Sequence, residues 1–431
     1  MRDKGVETMR VLAISRAPWR NDNNTGNTFT DLFKDFSDIE FYSLCMREQP
    51  PQNDIAKRHF FISEKQILKR LLGKKTIIGA ENSSKSIEDV SEKNIYNFAK
   101  KNHNIIFMAM RELLWCSAGW KNNNLEKYIK EVNPDIIFFP VFGCYYPHKV
   151  LRYIRSLCDA EIVLFHADDN YTLKQFSLSP FFWLYRFGLR KWVRRSVNIS
   201  DLQYCISNIQ KADYEKAFKC KCKLLTKFSD FSGKPILKES FGNPLQLVYT
   251  GNVGINRWKS LKIIADVLEN INADGVKAQL RIYTATPLTR KMKKALNRGE
   301  SSVFMGTALA SDVPQIQKNA DILVHVEALD LKNRLAVRQS FSTKIVDYLK
   351  AARPILAVGP KDVASIDHLI RNDCAIVADN RTELEQKLRE VLENPGMMNS
   401  IVENAYECGR KYHNKETIQK MLREDLEALC K

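Results

Sequence analysis

Short runs rich in β-branched and aromatic residues alternate with amphipathic segments along almost the whole chain, and this alternation limits the possible folds more than any other feature of the sequence. The strand-like runs are residues 9–15, 38–44, 134–140, 161–165 and 201–206 in the first half, and residues 245–250, 279–283, 302–305, 320–326, 354–358 and 374–377 in the second half. Parallel strands need a crossover of about a dozen residues or more, usually a helix. The pattern therefore predicts an α/β fold with a doubly wound parallel sheet in each half.

The length of 431 residues predicts two domains, because a single hydrophobic core rarely serves more than about 250–300 residues. Residues 219–244 are basic and rich in Ser, Gly and Pro, which is typical of an interdomain linker. We therefore expect an N-terminal domain over residues 9–218, a C-terminal domain over residues 245–395, and helices over residues 396–431 that cross back to the N-terminal domain. Residues 53–103 have no clean periodicity and are interpreted as mostly helical.

Net charge is the unusual bulk property of the chain. A formal charge of +17 and an isoelectric point near 9.3 favour acidic partners, namely nucleotide phosphates, anionic lipid headgroups or nucleic acid. The ten cysteines form no CxxC pair, so a zinc ribbon is not indicated and reduced thiols are expected. No apolar run is long enough for a signal peptide or a spanning helix, so we expect a cytoplasmic protein, at most peripherally associated with the inner face of the cell membrane.

Residues 340–358 combine the features of a phosphate-binding helix start with those of a buried strand. Hydroxyl residues, among them Ser342 and Thr343, stand where the free N–H groups of a helix N-terminus need caps. Such an N-terminus carries a partial positive charge and Lys344 adds a full one, so the candidate ligand is a diphosphate. Asp347 lies on nearly the same face, where a carboxylate can accept hydrogen bonds from ribose hydroxyls. The alternative is an ordinary helix–strand unit with a solvated lysine and aspartate.

Two polar groups follow strands of the first half, at the sheet edge where α/β proteins bind ligands. Residues 16–28 are predicted to form a loop before a helix over residues 29–36. The polar residues are Gly26 and Asn27 in this loop, and His166, Asp168 and Asp169 after the strand at 161–165. The two aspartates are adjacent, unlike the DxD spacing of metal-bound nucleotide sugars, and the histidine can act as a general acid or base. A plain turn and a histidine that caps a strand end are the alternatives.

Residues 180–197 form a helical segment in which aromatic residues are interleaved with arginine and lysine, without one acidic residue. Its apolar stripe consists of Phe182, Tyr185, Leu189 and Val193, and its basic stripe consists of Arg186, Arg190 and Arg194. A helix with these two stripes is suited to lie on an anionic membrane surface. The alternative is a helix whose apolar stripe faces the core of its own domain and whose basic stripe is merely solvated.

Three further landmarks follow one another in the second half. They are Tyr-Thr-Gly-Asn at 249–252 continued by Arg257 and Lys259, Val-Phe-Met-Gly at 303–306 continued by 313–316 and 319–324, and Asp-Tyr-Leu-Lys-Ala-Ala-Arg-Pro at 347–354. Together, over residues 245–380, they resemble the C-terminal domain of GT-B glycosyltransferases, especially the retaining family 4, also described as glycosyl transferases group 1. The first half is similar to that family mainly in layout. The resemblance implies the GT-B fold, in which two Rossmann-like, doubly wound parallel-sheet domains face each other across a cleft.

This resemblance implies a retaining glycosyltransferase that moves a sugar from a nucleotide-diphospho-sugar, bound mainly by the C-terminal domain, to a hydroxyl acceptor on the N-terminal domain. The acceptor is expected to be a glycan or lipid-linked glycan of cell-surface polysaccharide synthesis. The expected donor residues are Gly251, Asn252, Arg257, Lys259, Tyr283, Gly306, Ser342, Thr343, Lys344 and Asp347 for the diphosphate and nucleoside, and Glu327 and Gln339 for the sugar. The expected acceptor residues are Gly26, Asn27, Asp168 and Asp169. Arg257 and Lys344 are expected to neutralise the leaving diphosphate without a metal or bound cofactor, while His166 orients hydroxyl groups.

Gln339 stands eight residues before Asp347, at a position where this family commonly carries a glutamate. An amide can hydrogen-bond a sugar hydroxyl, but it cannot stabilise positive charge at the anomeric carbon as a carboxylate can. The donor then differs or catalysis is weaker, and Glu327 is a candidate for the missing carboxylate. A catalytically silent nucleotide-sugar-binding subunit and a GT-B-fold sugar-nucleotide epimerase are therefore alternatives. Nucleic-acid binding is a third alternative, based on charge alone.

Overall fold

The computed structural model describes residues 8–19, 24–47, 49, 51–81 and 105–430. Among these residues, the first half of the chain builds one sheet of eight strands. They are β1 (Met9–Ser15), β2 (Ile39–Cys45), β3 (Ala56–Phe61), β4 (Ala80–Glu81), β5 (Ile136–Pro140), β6 (Glu161–His166), β7 (Leu202–Cys205) and β8 (Lys223–Leu224). The strand order is β4-β3-β2-β1-β5-β6-β7-β8, and every pairing is parallel except that of β3 with β4.

Helices cover both faces of this first sheet. They are α1 (Asn24–Phe33), α2 (Glu64–Leu71), α3 (Ile105–Leu114), α4 (Asn123–Val132), α5 (Tyr145–Arg155), α6 (Pro180–Val197) and α7 (Asn208–Phe218). Helix α4 shows how the sequence makes such a helix: Asn122 accepts hydrogen bonds from two N–H groups of its first turn, and its buried residues recur at helical spacing. The helices thereby bury apolar stripes against strands that are themselves almost fully buried.

The second half builds a sheet of six parallel strands within the described residues. These are β9 (Leu245–Thr250), β10 (Ala278–Tyr283), β11 (Ser302–Gly306), β12 (Ile322–Val326), β13 (Ile355–Val358) and β14 (Ile376–Ala378). The helices are α8 (Arg257–Ile271), α9 (Arg290–Leu296), α10 (Val313–Asn319), α11 (Leu331–Val337), α12 (Lys344–Ala351), α13 (Ala364–Arg371), α14 (Arg381–Glu393), α15 (Met397–Tyr412) and α16 (Lys415–Leu429).

The strand order of the second sheet is β11-β10-β9-β12-β13-β14, and the first sheet has the matching order over β3-β2-β1-β5-β6-β7. In this arrangement the order reverses beside the first strand of each half, and a crevice opens there at the carboxyl ends of the strands. The predicted fold class, two doubly wound parallel-sheet domains, is confirmed.

Two local predictions in the first domain are wrong. Helix α1 begins at Asn24, so Gly26 and Asn27 lie in its first turns and not in a loop. Within the described part of residues 53–103, strand β3 precedes the short helix α2, so that stretch is not mostly helical; residues 82–104 lie outside the described residues. Lys57 and Arg58 follow Ala56 at the start of β3, and their charges conceal its strand pattern.

The last helix of the chain packs on the first domain. The hydroxyl of Tyr204 in β7 donates a 2.6 Å hydrogen bond to Asp425 of α16, and Lys415 forms a 2.9 Å ion pair with Asp35. One hydrophobic cluster accordingly continues from the first sheet through α16 and α15 to the helix α12 of the second domain. The linker joins this cluster through Phe231, whose fully buried ring packs edge-on against Tyr406 with 5.3 Å between centroids.

We expect Gly409→Ala to destabilise the protein by about 1–3 kcal/mol, because overpacking a filled core forces neighbouring groups to shift. A Cβ atom at Gly409 would lie 2.2 Å from the ring of Phe231. Chemical denaturation of the variant measures the loss.

Gly396→Ala is the matched control for this substitution, since its Cβ would meet only the Asn394 side chain, at 3.4 Å. We expect the control to change stability by less than about 0.5 kcal/mol. Equal stability of the two variants would contradict the packing of the linker against α15.

Candidate functional site

Charged side chains of the second domain converge at the carboxyl ends of β9 and β12. These strands are neighbours in the sheet, so the loop that follows β9 and the residue that follows β12 meet. Gly251 follows β9, Arg257 begins α8, Glu327 follows β12, and Lys344 begins α12. Arg257 and Lys344, which the sequence assigned to one diphosphate site, thus lie at the same edge of the sheet, and their role toward a diphosphate stays a prediction.

Arg257 and Glu327 form the central ion pair of this cluster. The guanidinium Nε donates to Glu327 Oε2 at 3.0 Å and Nη2 donates to Oε1 at 3.2 Å, a two-point contact. Only 3% of the Glu327 side chain is exposed, against 20% for Arg257. Burial raises the pKa of the Glu327 carboxyl, but His325 and Arg257 together lower this pKa by a larger amount. The net shift is downward, so the group is ionised at neutral pH.

His325 lies in β12, two residues before Glu327. Its Nε2 is 3.5 Å from Glu327 Oε1, and neither ring nitrogen has a hydrogen-bond partner among the described residues. Burial lowers the pKa of His325 and outweighs the opposing effect of Glu327, so the imidazole is neutral at pH 7. The cluster therefore carries two cations, Arg257 and Lys344, and one carboxylate.

Lys344 presents its ammonium group beside the glycine of the β9 loop. The Nζ atom lies 4.4 Å from the centroid of the Tyr249 ring, and a Cβ atom at Gly251 would come within 2.4 Å of it. Among the described residues no hydrogen bond or ion pair involves this ammonium. Burial, and then the proximity of Arg257, lower the pKa of Lys344 to about 8. The group is thus mostly protonated at neutral pH, with its N–H donors available to a ligand.

The first turn of α12 adds backbone donors to this edge. Thr343 is the N-cap residue, and its hydroxyl makes no capping hydrogen bond. The N–H of Ser342 donates to the Ser365 hydroxyl at 2.9 Å, so this N–H is used within the protein. The Thr343 hydroxyl is not used as a cap. A helix N-terminus and a lysine on its first residue together favour an anion.

Asp347, predicted to hold a ribose, is engaged elsewhere. Its carboxylate forms a 2.6 Å ion pair with Lys227 of the linker, and 40% of its side chain is exposed. One carboxylate oxygen is therefore committed to the linker, and its role toward a ribose stays a prediction.

The remaining predicted donor residues lie around the same edge at greater exposure. Tyr283 and Gly306 end strands β10 and β11, and backbone hydrogen bonds of 3.0 Å from Gly251 to Tyr283 and of 2.9 Å from Thr284 to Gly306 tie the three loops together. Asn252 and Lys259 are exposed. The carbonyl of Asn252 accepts a 2.6 Å bond from the Tyr249 hydroxyl.

Gln339 lies in the contact between the domains and is fully buried. Its Nε2 donates to Asp213 of α7 at 2.7 Å, its carbonyl accepts a 2.6 Å bond from Ser207, and Arg338 beside it also binds Asp213. A glutamate at this position would place a second carboxylate against Asp213, whereas the amide donates to it. The departure at residue 339 is thus explained by the partner that the first domain provides.

The predicted acceptor residues fall into two environments. Asp168 is exposed and accepts a 2.7 Å hydrogen bond from Ser340 across the domain contact. Asp169 is buried, pairs with Arg186 at 2.8 Å and accepts bonds from the Tyr171 and Thr172 amides, so its carboxylate is used within the first domain.

His166 is buried in the first domain, against Tyr214 and Phe218. Its Nε2 bonds Gln203 at 3.2 Å, and burial lowers its pKa to about 3. This surrounding does not favour contact with a ligand, and its predicted role stays a prediction. Gly26 and Asn27 lie in helix α1.

Sequence reasoning did not single out several residues that shape this site. They are Tyr249, His325, Asp213 and Lys227. His325 left a readable signal, because a lone histidine at a core-facing position of an otherwise apolar strand needs an explanation. Asp213 and Lys227 left none, since their partners lie 126 and 120 residues away in the chain.

No group of three or more His, Cys, Asp or Glu side chains in the described ranges is arranged to hold a metal ion. The expected independence from metal stays a prediction.

Residues 244–394 match the sequence model of a family described as glycosyl transferases group 1. No curated protein sequence matches the chain.

Solved structures with the same two-domain architecture include the following three proteins. Sucrose-phosphate synthase from Thermosynechococcus elongatus has a TM-score of 0.63 at 11% identity, covering 98% of this chain and 99% of that chain. HepE from Anabaena, in complex with UDP, has a TM-score of 0.63 at 12% identity, covering 97% and 100%. α,α-Trehalose 6-phosphate synthase from Burkholderia multivorans has a TM-score of 0.60 at 9% identity, covering 98% and 97%. At these identities the likeness concerns the fold.

The family match covers the second domain, including Arg257, His325, Glu327 and Lys344. The fold likeness covers nearly the whole chain. The resemblance inferred from the landmarks is therefore confirmed: residues 244–394 form a domain of the glycosyl transferases group 1 family, in a chain with the two-domain GT-B fold.

Proposed function

We propose that the protein transfers a sugar from a nucleotide-diphospho-sugar to a hydroxyl acceptor. The observation that carries the proposal is the Lys344 ammonium, which lacks a hydrogen-bonding partner among the described residues and stands beside Arg257 at the start of α12 within the family-matched domain. The structures of HepE with UDP and with UDP-glucose support a nucleotide-sugar donor for a protein of this fold.

The diphosphate is the part of the donor for which the geometry argues most directly. Lys344 and Arg257 carry two positive charges against the single carboxylate of Glu327, because His325 is neutral. The excess positive charge suits a ligand with two negative phosphates. Gly251 leaves space for the lysine, since any side chain there would collide with it.

During transfer the bond between the anomeric carbon and the diphosphate oxygen breaks, and negative charge grows on the departing phosphate. The Lys344 ammonium and the Arg257 guanidinium stabilise that charge, together with the N-terminus of α12. The acceptor oxygen bonds the anomeric carbon and loses its proton, which we assign to the departing phosphate. Retention of configuration is part of this proposal and follows from the family resemblance alone.

Glu327 acts as a positioning residue in this scheme. Its carboxylate is almost fully buried and its two oxygens are held by Arg257, so it orients the guanidinium. Ser260 donates a 2.7 Å hydrogen bond to the Glu327 carbonyl and fixes the start of α8 against the end of β12.

The acceptor is assigned to the first domain, across the crevice from the donor cluster. Asp168 is an exposed carboxylate at this contact, linked to Ser340. We propose a glycan or lipid-linked glycan of cell-surface polysaccharide synthesis as acceptor, and a cytoplasmic location with peripheral contact to the inner face of the cell membrane through residues 180–197. Helices of the described residues are too short or too polar to cross a membrane.

Transfer is tested by incubating the protein with a panel of nucleotide sugars and hydroxyl acceptors and measuring the release of nucleoside diphosphate together with glycosylated product. Binding of a nucleotide sugar without any release would contradict the proposal and favour a silent binding subunit. Interconversion of the nucleotide sugar without release would favour an epimerase.

Lys344→Ala is expected to leave the fold intact and to lower turnover at saturating donor at least tenfold, which corresponds to about 1.4 kcal/mol of transition-state stabilisation. Lys350→Ala, on the exposed side of the same helix, is the control and is expected to keep full turnover. Unchanged turnover of the Lys344 variant would remove the lysine from the mechanism.

The affinity for UDP is expected to fall as the pH rises from about 7 to about 9, because Lys344 loses its proton as the pH passes through its pKa of about 8. The bound diphosphate favours the charged ammonium, so binding near pH 8 takes up a proton. Calorimetry in two buffers of different ionisation enthalpy measures both effects. An identical pH dependence in Lys344→Ala would show that another group is responsible.

Gly251→Ala is expected to weaken UDP binding at least tenfold, about 1.4 kcal/mol, by displacing the Lys344 ammonium. Gly233→Ala is the control, because its Cβ would meet no atom within 4 Å. Equal affinities in the two variants would show that the lysine can bind the diphosphate from a different position.

A further inference from the structure

Helix α6 carries its arginines on the side that faces its own domain. Arg186 is buried and binds the Asp169 carboxylate and the Thr172 carbonyl, while Arg190 lies 4.2 Å from the centroid of the Tyr171 ring and donates to its carbonyl. Arg194 donates to the Tyr171 hydroxyl and, at 2.9 Å, to the Ala217 carbonyl. The basic stripe is therefore turned toward its own domain and is not directed at a membrane. The apolar stripe faces the core of the domain at Leu189 and Val193, as the alternative interpretation predicted, but the prediction of a merely solvated basic stripe is wrong.

The outer side of α6 is apolar instead. Phe181, Leu184 and Phe187 are 67%, 72% and 55% exposed and recur at intervals of three residues. Large apolar side chains exposed in a row on one helix mark a contact surface more often than an ordinary surface.

Helix α3 carries a further exposed apolar side chain. Its Leu113 is 70% exposed. The neighbouring Glu112 connects α3 to α5 and α6. Glu112 Oε1 accepts bonds of 2.6 Å from the amide of Tyr145 in α5 and of 3.3 Å from the hydroxyl of Tyr185 in α6. The exposed side chains of α3 and α6 thus belong to neighbouring elements of one side of the domain.

A groove of about 470 Å³ lies between α5, α6 and the turn that follows α3, and Trp192 of α6 lines it. Its cationic walls are Lys121, Lys149 and Arg152, and none of the three forms an ion pair with a described carboxylate. Lys149 lies 5.7 Å from the centroid of Trp192, and Lys121 lies 5.0 Å from that of Tyr153. Beside the groove, the Glu126 carboxylate accepts a 2.7 Å hydrogen bond from the hydroxyl of Tyr153.

We propose that this groove, defined here as the α5 groove, binds the phosphate of an anionic lipid headgroup while Leu113, Phe181, Leu184 and Phe187 enter the membrane interface. Three cations without carboxylate partners supply the charge complementarity for a phosphate. Tryptophan and tyrosine beside them are suited to the boundary between headgroups and acyl chains. The exposed apolar side chains of α3 and α6 distinguish a lipid from a free phosphate or a soluble anionic glycan, neither of which would gain from them. The proposal rests on the membrane contact proposed above for residues 180–197 and names its residues and its lipid headgroup, and it does not depend on sugar transfer.

The experiment is sedimentation of the full chain with vesicles of phosphatidylcholine, with and without about one third phosphatidylglycerol. Lys121→Gln/Lys149→Gln/Arg152→Gln is expected to weaken binding to the anionic vesicles at least tenfold. The matched control is Lys291→Gln/Lys293→Gln/Lys294→Gln, which removes the same charge from exposed positions of α9 and is expected to retain binding. Phe181→Ser/Phe187→Ser is expected to weaken it in the same assay.

Thermal unfolding of each variant checks that it folds. If the triple variant is unstable, the single change Arg152→Gln replaces it, because this side chain is exposed and makes no hydrogen bond or ion pair with a described residue. The single variant is expected to show a smaller loss of vesicle binding. Equal losses in the groove variant and the α9 control would overturn the proposal in favour of nonspecific charge attraction. Groove-dependent binding of inorganic phosphate or heparin that is unaffected by the phenylalanine changes would also overturn it, in favour of a soluble anion site. UDP affinity is expected to be unchanged in the groove variants, so a failure of the groove and a failure of the transferase proposal are separable.

Discussion

The buried carboxylate of Glu327 is the interaction on which the rest of the donor side depends. An ionised carboxylate in a protein interior costs several kcal/mol unless it is paired and hydrogen-bonded. Arg257 supplies a two-point partner, and the Glu327 backbone holds Ser260, so the carboxylate determines where α8 begins relative to β12. With this pair in place and His325 neutral, Lys344 remains a cation that makes no hydrogen bond or ion pair within the part of the chain that the structure describes. The site is thereby poised for an anion that the protein itself does not supply.

A second constraint acts between the domains. Asp213 of α7 binds both Arg338 and Gln339, and these residues lead directly into the start of α12. The segment that presents Lys344 is therefore positioned from both sides, by its own sheet and by the first domain. The Gln339 amide serves this contact, because it can donate to Asp213 where a carboxylate cannot. The Gln339 amide is thus suited to the domain contact, and its presence by itself is no argument for loss of catalysis.

The alternation of strands and helices was sufficient to predict both sheets, because buried parallel strands read as continuous apolar runs of the right length and spacing. The same logic missed β3, whose first residues carry charges. Arg257 and Lys344 could be predicted because each begins a helix after a recognisable strand. The partners of Asp347 and Gln339 could not be predicted, since an ion pair or hydrogen bond between residues more than a hundred positions apart leaves no local pattern. For α6 the periodicity was right and the apolar stripe is buried at Leu189 and Val193, but the arginines also face the domain, because arginine can donate hydrogen bonds to the carbonyls of a buried loop.

Helix α16 has a consequence for the order in which the protein is made. Domains of a growing chain usually fold in the order of their synthesis. Here the hydroxyl of Tyr204 and the carboxylates of Asp35 and Asp38 have partners in residues 415–429, so these contacts can form only after the whole second domain has been synthesised. The packing of the first domain is thus completed only when α16 joins it.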